Sequence, residues 1–239
     1  MPDIVLENVT VKYKLKRKQF LNATNNINVT FKSDKISCII GQSGCGKTSI
    51  LRAIAGIADF DGDIKFNTDS IKNVPIEKRG ISYVSQIIGL YPNLTVFNNI
   101  AFPLKIVGCS EDEIRKRVAE VADLLHIRSI ISRKPKEISL GQAQRVAIAR
   151  ALVKKSFVYI FDEPFSNLDK PLSEQLTREL KEIFIKNKNT VIFVSHDSKE
   201  SLYLGDEIFV MNEGNLIEQG SSEKIMKSSN KLVKELLVN

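Results

Sequence analysis

Apolar residues fall in short clusters along this chain, and the spacing within each cluster predicts the element it builds. Ile4, Leu6, Val9 and Val11 alternate loosely with polar neighbours across residues 3–13, which predicts a half-buried strand ending at Tyr13. Ile27–Phe31 predicts a second strand, Lys32-Ser33-Asp34-Lys35 a turn, and Ile36–Ile40 a third strand, so the chain opens with a group of three short strands. Ile50, Leu51, Ile54 and Ile57 then lie at helical spacing within residues 49–58. Residues 59–69 are turn-rich and acidic, with Asp61-Gly62-Asp63 as a hairpin signal. A short strand follows at Ile81–Ser85 and stops at Gln86.

The texture changes at Ile87. Tyr91-Pro92-Asn93 breaks the chain, and Thr95–Ile106 is apolar with one proline, Pro103. Ser110-Glu111-Asp112-Glu113 fits a capping box ahead of a helix carrying Ile114, Val118, Val121, Leu124 and Leu125. No buried strand is predicted between Ile88 and Lys136, so this stretch reads as a helical insert in an α/β core. Ser139 opens a further helix, Ala143–Lys154. Strand signals return at Phe157–Phe161, an unbroken apolar run of the kind that buried parallel strands need. A helix at Leu172–Lys186, a strand at Thr190–Ser195, a hairpin over Ile208–Met211 and Leu216–Glu218 about Glu213-Gly214-Asn215, and one or two short amphipathic helices from Ser221 complete the pattern. There is no internal repeat.

Composition adds limits rather than a function. Of 239 residues, 43% are hydrophobic and 26% charged, which is ordinary for a soluble globular protein. No run approaches the roughly 18 apolar residues of a membrane span, and Met1-Pro2-Asp3-Ile4 lacks a signal-peptide layout. Cys38, Cys45 and Cys109 have no ligand spacing and form no disulfide framework, which predicts the reducing cytosol. The net charge of +7 is compatible with nucleic acid or an anionic membrane face. Its densest cluster, Lys12, Lys14, Lys16, Arg17 and Lys18, is read as a solvated loop.

The candidate chemistry begins at Gly41-Gln42-Ser43-Gly44-Cys45-Gly46-Lys47-Thr48, which fits G-x-x-x-x-G-K-[ST] between a predicted strand and a predicted helix. Glycines let backbone N–H groups surround an anionic oxygen, and the helix start adds its positive dipole end. Lys47 would reach the β- and γ-phosphates of a nucleoside triphosphate, and the Thr48 hydroxyl would hold Mg²⁺.

Three other apolar strands also stop at polar residues used in phosphate chemistry. Ile81–Ser85 leads to Gln86, Phe157–Phe161 to Asp162 and Glu163, and Thr190–Ser195 to His196. One parallel sheet would bring Lys47, Gln86, Asp162, Glu163 and His196 to a single edge, where ligands of open α/β sheets bind. Asp162 suits Mg²⁺, Glu163 suits the general base that polarises a water, and His196 suits the γ-phosphate. The structural alternatives are an acidic turn at Asp162-Glu163-Pro164 and an ordinary histidine at 196. Ser139 and Gln142 likewise form a capping box, which is either a helix cap alone or a second anion site at a helix N-terminus.

Taken in order, the phosphate loop, Gln86, Ser139-Leu140-Gly141-Gln142 with the run Gln144–Leu152, Phe157–Glu163, Ser166-Asn167-Leu168-Asp169 and His196 closely resemble the motif series of ABC transporter nucleotide-binding subunits. The resemblance covers nearly the whole chain; it departs at Leu140, where the family usually has glycine. It implies an α/β fold, a P-loop NTPase (RecA-like) core with an antiparallel β subdomain and an inserted α-helical subdomain. Residues 1–239 would form one ABC ATPase domain, with 1–86 and 157–239 as the core and 87–156 as the helical subdomain.

The same resemblance implies the site. ATP would contact Tyr13 (through adenine), Gly41, Gln42, Ser43, Gly44, Cys45, Gly46, Lys47, Thr48, Ser49, Gln86 and His196. Mg²⁺ would be held by Thr48, Gln86 and Asp162, and Glu163, His196 and Gln86 would be catalytic. Two subunits would face head to tail, with Ser139, Gly141, Gln142 and Asp169 acting in trans. The implied partners are a second ATPase subunit, most simply an identical one, transmembrane permease subunits contacted through Ile87–Val96, and an external substrate-binding protein; nucleic acid is not expected. The implied place is the cytoplasmic face of the membrane.

Residues Ile87–Val96 and Asp162–Asp169 look most like bacterial importer ATPases. Leu94–Ile100 with Pro103-Leu104 also resembles ATPases that drive lipid or lipoprotein extraction or cell-division complexes. A soluble relative acting on ribosomes or nucleic acid fits less well, because paired modules and long coiled-coil insertions are missing. The chain runs only a short way past its terminal hairpin, and the extra C-terminal regulatory domain of some importer ATPases is not expected.

Overall fold

The computed structural model describes residues 1–14 and 20–238. Two sheets organise the chain. In the first, β1 (Ile4–Lys14) pairs antiparallel with β2 (Phe20–Asn22), β3 (Ile27–Phe31) and β5 (Phe60–Phe66), and β5 pairs with the short β6 (Asp69–Ser70). The second has the order β11-β10-β4-β9-β8-β7, formed by β4 (Ile36–Gly41), β7 (Ile81–Val84), β8 (Val158–Asp162), β9 (Thr190–Val194), β10 (Glu207–Asn212) and β11 (Asn215–Gly220). All its neighbours are parallel except the terminal hairpin β10–β11.

This corrects the grouping of the opening strands. β1 and β3 expose part of one face, whereas β4 is buried along nearly its whole length and belongs to the parallel sheet. Residues 59–69 are also corrected. They contain strand β5, and Asp61-Gly62-Asp63 lies inside it rather than at a turn. Gly62 stands where the β1–β5 register shifts between Glu7 and Thr10; its φ is +90°, and a Cβ there would lie 2.4 Å from the Asn8 carbonyl oxygen. The true hairpin turn begins four residues after Asp63, at Asn67-Thr68, between the paired Phe66 and Asp69. Lys12 of the basic cluster pairs with Asp61 at 2.7 Å, while Lys16, Arg17 and Lys18 lie outside the described residues.

Helix α1 (Lys47–Ala55) starts two residues before the apolar periodicity does. Helices α2 (Val96–Ile106), α3 (Glu111–Leu124) and α4 (Leu140–Leu152) follow β7, each with a side-chain cap, from Thr95, Ser110 and Ser139 respectively. Helices α5 (Lys170–Asn187), α6 (Ser198–Leu204), α7 (Ser222–Met226) and α8 (Lys231–Val238) complete the chain. Among the described residues no helix is long and apolar enough to cross a membrane.

The parallel sheet separates two apolar clusters. On one side Ile39, Ile160, Ile192 and Phe209 pack against Ile50, Leu51 and Ile54 of α1 and against β1 and β3. On the other, Cys38, Phe161, Phe193 and Val191 pack against Leu180 and Phe184 of α5, in a cluster continuous with Val118 of α3 and Val146 of α4. The sheet thereby fixes one edge of carboxyl ends, and α1 and α5 flank that edge.

Candidate active site

Parallel pairing in register places the ends of β4, β9, β8 and β7 side by side. Residues 41–48 form the connection from β4 to α1. Gly46 is the N-cap, with φ +104°, and a Cβ there would lie 2.2 Å from the Ala23 carbonyl oxygen. Only glycine fits that close approach. The first turn of α1 has no acidic residue of its own and its N-cap makes no side-chain hydrogen bond, so the positive helix end is not capped from within the helix. Lys47 Nζ donates to the carbonyl oxygens of Gly41 (2.8 Å) and Gln42 (2.9 Å), which holds the ammonium over the loop. The Cys45 side chain points down into the apolar cluster beneath the loop, and burial pushes its thiol pKa up.

Thr48 Oγ1 donates to Asp162 Oδ1 at 2.8 Å, joining the start of α1 to the end of β8. The other carboxylate oxygen, Oδ2, accepts from the Tyr83 hydroxyl at 2.7 Å. Burial, and then the neighbouring Asp162 carboxylate, push the Tyr83 phenol well above its ordinary value.

Glu163 follows immediately but has φ +47°, a left-handed conformation that is costly for a residue with a side chain. Its N–H donates to Val194 O of β9 at 2.9 Å. The kink turns its carboxylate away from that of Asp162, to 3.5 Å from Nδ1 of His196. His196 is 58% exposed at its side chain, so a solvent-borne ligand can reach it.

Behind His196 lies a buried polar group. Ser195 Oγ hydrogen-bonds a Glu200 carboxylate oxygen, and Thr177 Oγ1 of α5 donates to the other at 2.8 Å. Burial pushes the Glu200 carboxyl pKa up. Asp197 caps α6 and pairs with Lys170 at the start of α5.

Gln86 stands exposed on the loop after β7, and no hydrogen bond among the described residues joins it to Thr48 or Asp162. The loop beyond it is held from α4: Arg150 donates to Gly89 O (2.9 Å) and Ile88 O (3.2 Å) and lies over the Tyr91 ring. Ile87, 80% exposed, leaves an apolar side chain in solvent on this loop. Tyr13 donates to Ser49 Oγ at 3.3 Å and borders a cleft of about 560 Å³ with Lys14, Phe20, Arg52 and Phe60.

Ser139, Gly141, Gln142 and Asp169 are not brought to the 41–48 loop by any hydrogen bond within the chain. Ser139 and Gln142 cap α4 reciprocally (3.3 and 3.1 Å), and Asp169 caps α5 through Leu172 N at 3.0 Å. Gly141 lies against α5, where a Cβ would meet Leu172 Cδ2 at 2.4 Å. Leu140 is 51% exposed beside it. Arg145 of α4 grips Glu179 of α5 at 2.5 and 3.2 Å, fixing the two capped helix starts relative to each other. Tyr83, Glu200 and Thr177 were not predicted from sequence. Glu200 sits four residues after His196 on α6, and that spacing was the one available signal for it.

Comparison with known proteins agrees on a family. Residues 24–166 match the family described as ABC transporter. The chain is 38% identical over 221 residues to the spermidine/putrescine import ATP-binding protein PotA of Thermotoga maritima, covering 92% of this chain and 60% of that one. It is 42% identical over 213 residues to the trehalose/maltose import ATP-binding protein MalK of Thermococcus litoralis, covering 86% and 57%. The chain thus spans about 60% of the length of these curated relatives. A solved structure described as the dimeric structure of MJ0796, a bacterial ABC transporter cassette, superimposes with a TM-score of 0.83 at 29% identity, covering 92% of this chain and 98% of that one.

Proposed function

Since the chain belongs to the ABC transporter family, we propose that it is the ATP-binding subunit of a membrane importer, hydrolysing ATP in a head-to-tail pair of subunits and driving transmembrane permease subunits. The observation that supports this most is the single edge carrying Lys47, the Thr48–Asp162 contact and the Glu163–His196 pair. The MalK and PotA relatives are both named as import proteins.

Residues 41–49 bind the phosphates through backbone N–H groups and Lys47, and Tyr13 at the rim of its cleft meets the base. Glu163 orients and deprotonates the attacking water, and His196, held beside it, donates to the γ-phosphate. Charge on the transferred group is thereby met by fixed donors. Ser139, Gly141 and Gln142 come from the second subunit, where the exposed start of α4 faces the same phosphate, and Asp169 lies at the junction of the two sites. Residues 87–156 act as the helical subdomain, and the exposed loop at Ile87–Val96 contacts the permease. An external binding protein delivers the substrate.

The donor set fits Mg²⁺. A threonine hydroxyl and a buried carboxylate oxygen stand 2.8 Å apart, and the described residues hold no cluster of three or more His, Cys, Asp or Glu that would suit a softer metal. Mg²⁺ takes one or two protein oxygens and fills its octahedron with water and phosphate. Thr48 and Asp162 would hold it, with Gln86 as a further oxygen, and when bound it neutralises phosphate charge.

Purification of the Glu163→Gln chain with ATP from detergent-solubilised membranes tests the reading. A permease should co-purify; ribosomes or DNA in its place would overturn it.

A further inference from the structure

The metal-side carboxylate has a second hydroxyl partner that the motif series does not include. Strands β7 and β8 pair in parallel with Tyr83 opposite Ile160, so Tyr83 shares a sheet face with Ile160 and, two residues on, with Asp162. That face is the one covered by α1. Thr48, at the start of α1, meets Asp162 Oδ1.

An ionised carboxylate only accepts, so the Tyr83 O–H is aimed at Asp162 Oδ2, 2.7 Å away. An ionised carboxylate has about four acceptor sites. Two hydroxyls, one on each oxygen, stop the group rotating and leave one site per oxygen for metal or metal-bound water.

We infer that Tyr83 is a positioning residue that holds the Asp162 carboxylate in its metal-facing orientation and ties it to the strand leading into Gln86. This rests on the ATP and Mg²⁺ site proposed above. The alternative is a core aromatic whose hydroxyl only satisfies a neighbour. The two differ in what loss of one oxygen atom does. If Tyr83 positions the carboxylate, Tyr83→Phe weakens Mg²⁺ and leaves the metal-independent hold on nucleotide alone. Two residues separate Tyr83 from Gln86, so displacement of the exposed loop is passed to the metal side through a short, paired strand.

The test is binding of a fluorescent ATP analogue to the full chain, titrated with Mg²⁺ and repeated in EDTA. In Tyr83→Phe the Mg²⁺ midpoint should rise about tenfold, the scale of lost outer-shell support, with affinity in EDTA within about twofold of wild type. An unchanged Mg²⁺ midpoint in Tyr83→Phe overturns the assignment. Equal losses with Mg²⁺ and in EDTA also overturn it, since they report general damage. If the wild-type chain itself shows no Mg²⁺-dependent binding, the nucleotide site fails and this inference with it.

Discussion

Oε2 of Glu163 lies 3.5 Å from Nδ1 of His196, across the ends of the adjacent strands β8 and β9. The pairing is set by the main chain. Left-handed φ at Glu163 turns the carboxylate outward, and its N–H on Val194 O pins that turn to the strand that delivers His196. A base and a phosphate donor are thus held together before any ligand contact is considered.

Glu163→Gln removes the basic oxygen at nearly constant shape. Phosphate release should fall about a hundredfold or more, while ATP binding persists and an ATP-dependent dimer accumulates on size exclusion. Turnover near the wild-type rate would remove Glu163 as the base.

Lys47→Ala deletes the ammonium held over the loop by Gly41 and Gln42. Loss of a charged hydrogen-bond donor predicts ATP affinity lower by about tenfold or more, read by equilibrium binding. Unchanged affinity would contradict the phosphate-loop assignment.

Arg145→Ala leaves Glu179, which is half-buried, with Gln175 as its remaining hydrogen-bond donor. Burial acts to raise the Glu179 carboxyl pKa, and the hydrogen bonds from Arg145 and then Gln175 together outweigh it and hold it low. Losing these charged hydrogen bonds should cost about 1.5 kcal/mol, seen as a lower urea midpoint. The double variant with Glu179→Ala should cost less than the sum of the two single changes.

Glu200 gives a pH dependence of the opposite sense. Its folded-state pKa is raised by burial above the unfolded value, so the native state binds the proton more tightly than the unfolded chain does. Its contribution to stability is full below about pH 4.5 and is lost as pH rises through the folded value. Urea melts across that window should show the wild-type advantage over Glu200→Gln shrinking as pH rises. An advantage that grows with pH would refute the sign.

The parallel strands were legible because strands buried on both faces are unbroken apolar runs, and each ends where a polar residue appears. Strand β5 was hidden because Asp61 and Asp63 flank a glycine; the acidic residues lie on its exposed side, and Ile64 is its one fully buried anchor. The loop at 41–48, Asp162, Glu163 and His196 could be assigned to one edge from strand order alone. Tyr83, Thr177 and Glu200 could not. The Tyr83–Asp162 and Thr177–Glu200 contacts run across 79 and 23 residues of sequence, through packing that no local pattern encodes, and the Ser195–Glu200 contact, although only 5 residues apart, depends on how α6 turns back on β9. The capping roles of Ser139, Gln142 and Asp169 were readable for Ser139 and Gln142 because a capping box is a local signal.

The position of β4 between β9 and β10 has a consequence for synthesis. The strand that ends in the phosphate loop is made early, yet its two neighbours are Thr190–Val194 and Glu207–Asn212. Until those residues have left the ribosome, an apolar strand some 150 residues older has no partner on either side. Non-local closure of this kind is slow and exposes unpaired edges. Nascent chains shorter than about 212 residues should therefore depend on chaperones or be lost to aggregation, and nucleotide binding should emerge late and abruptly as the chain lengthens.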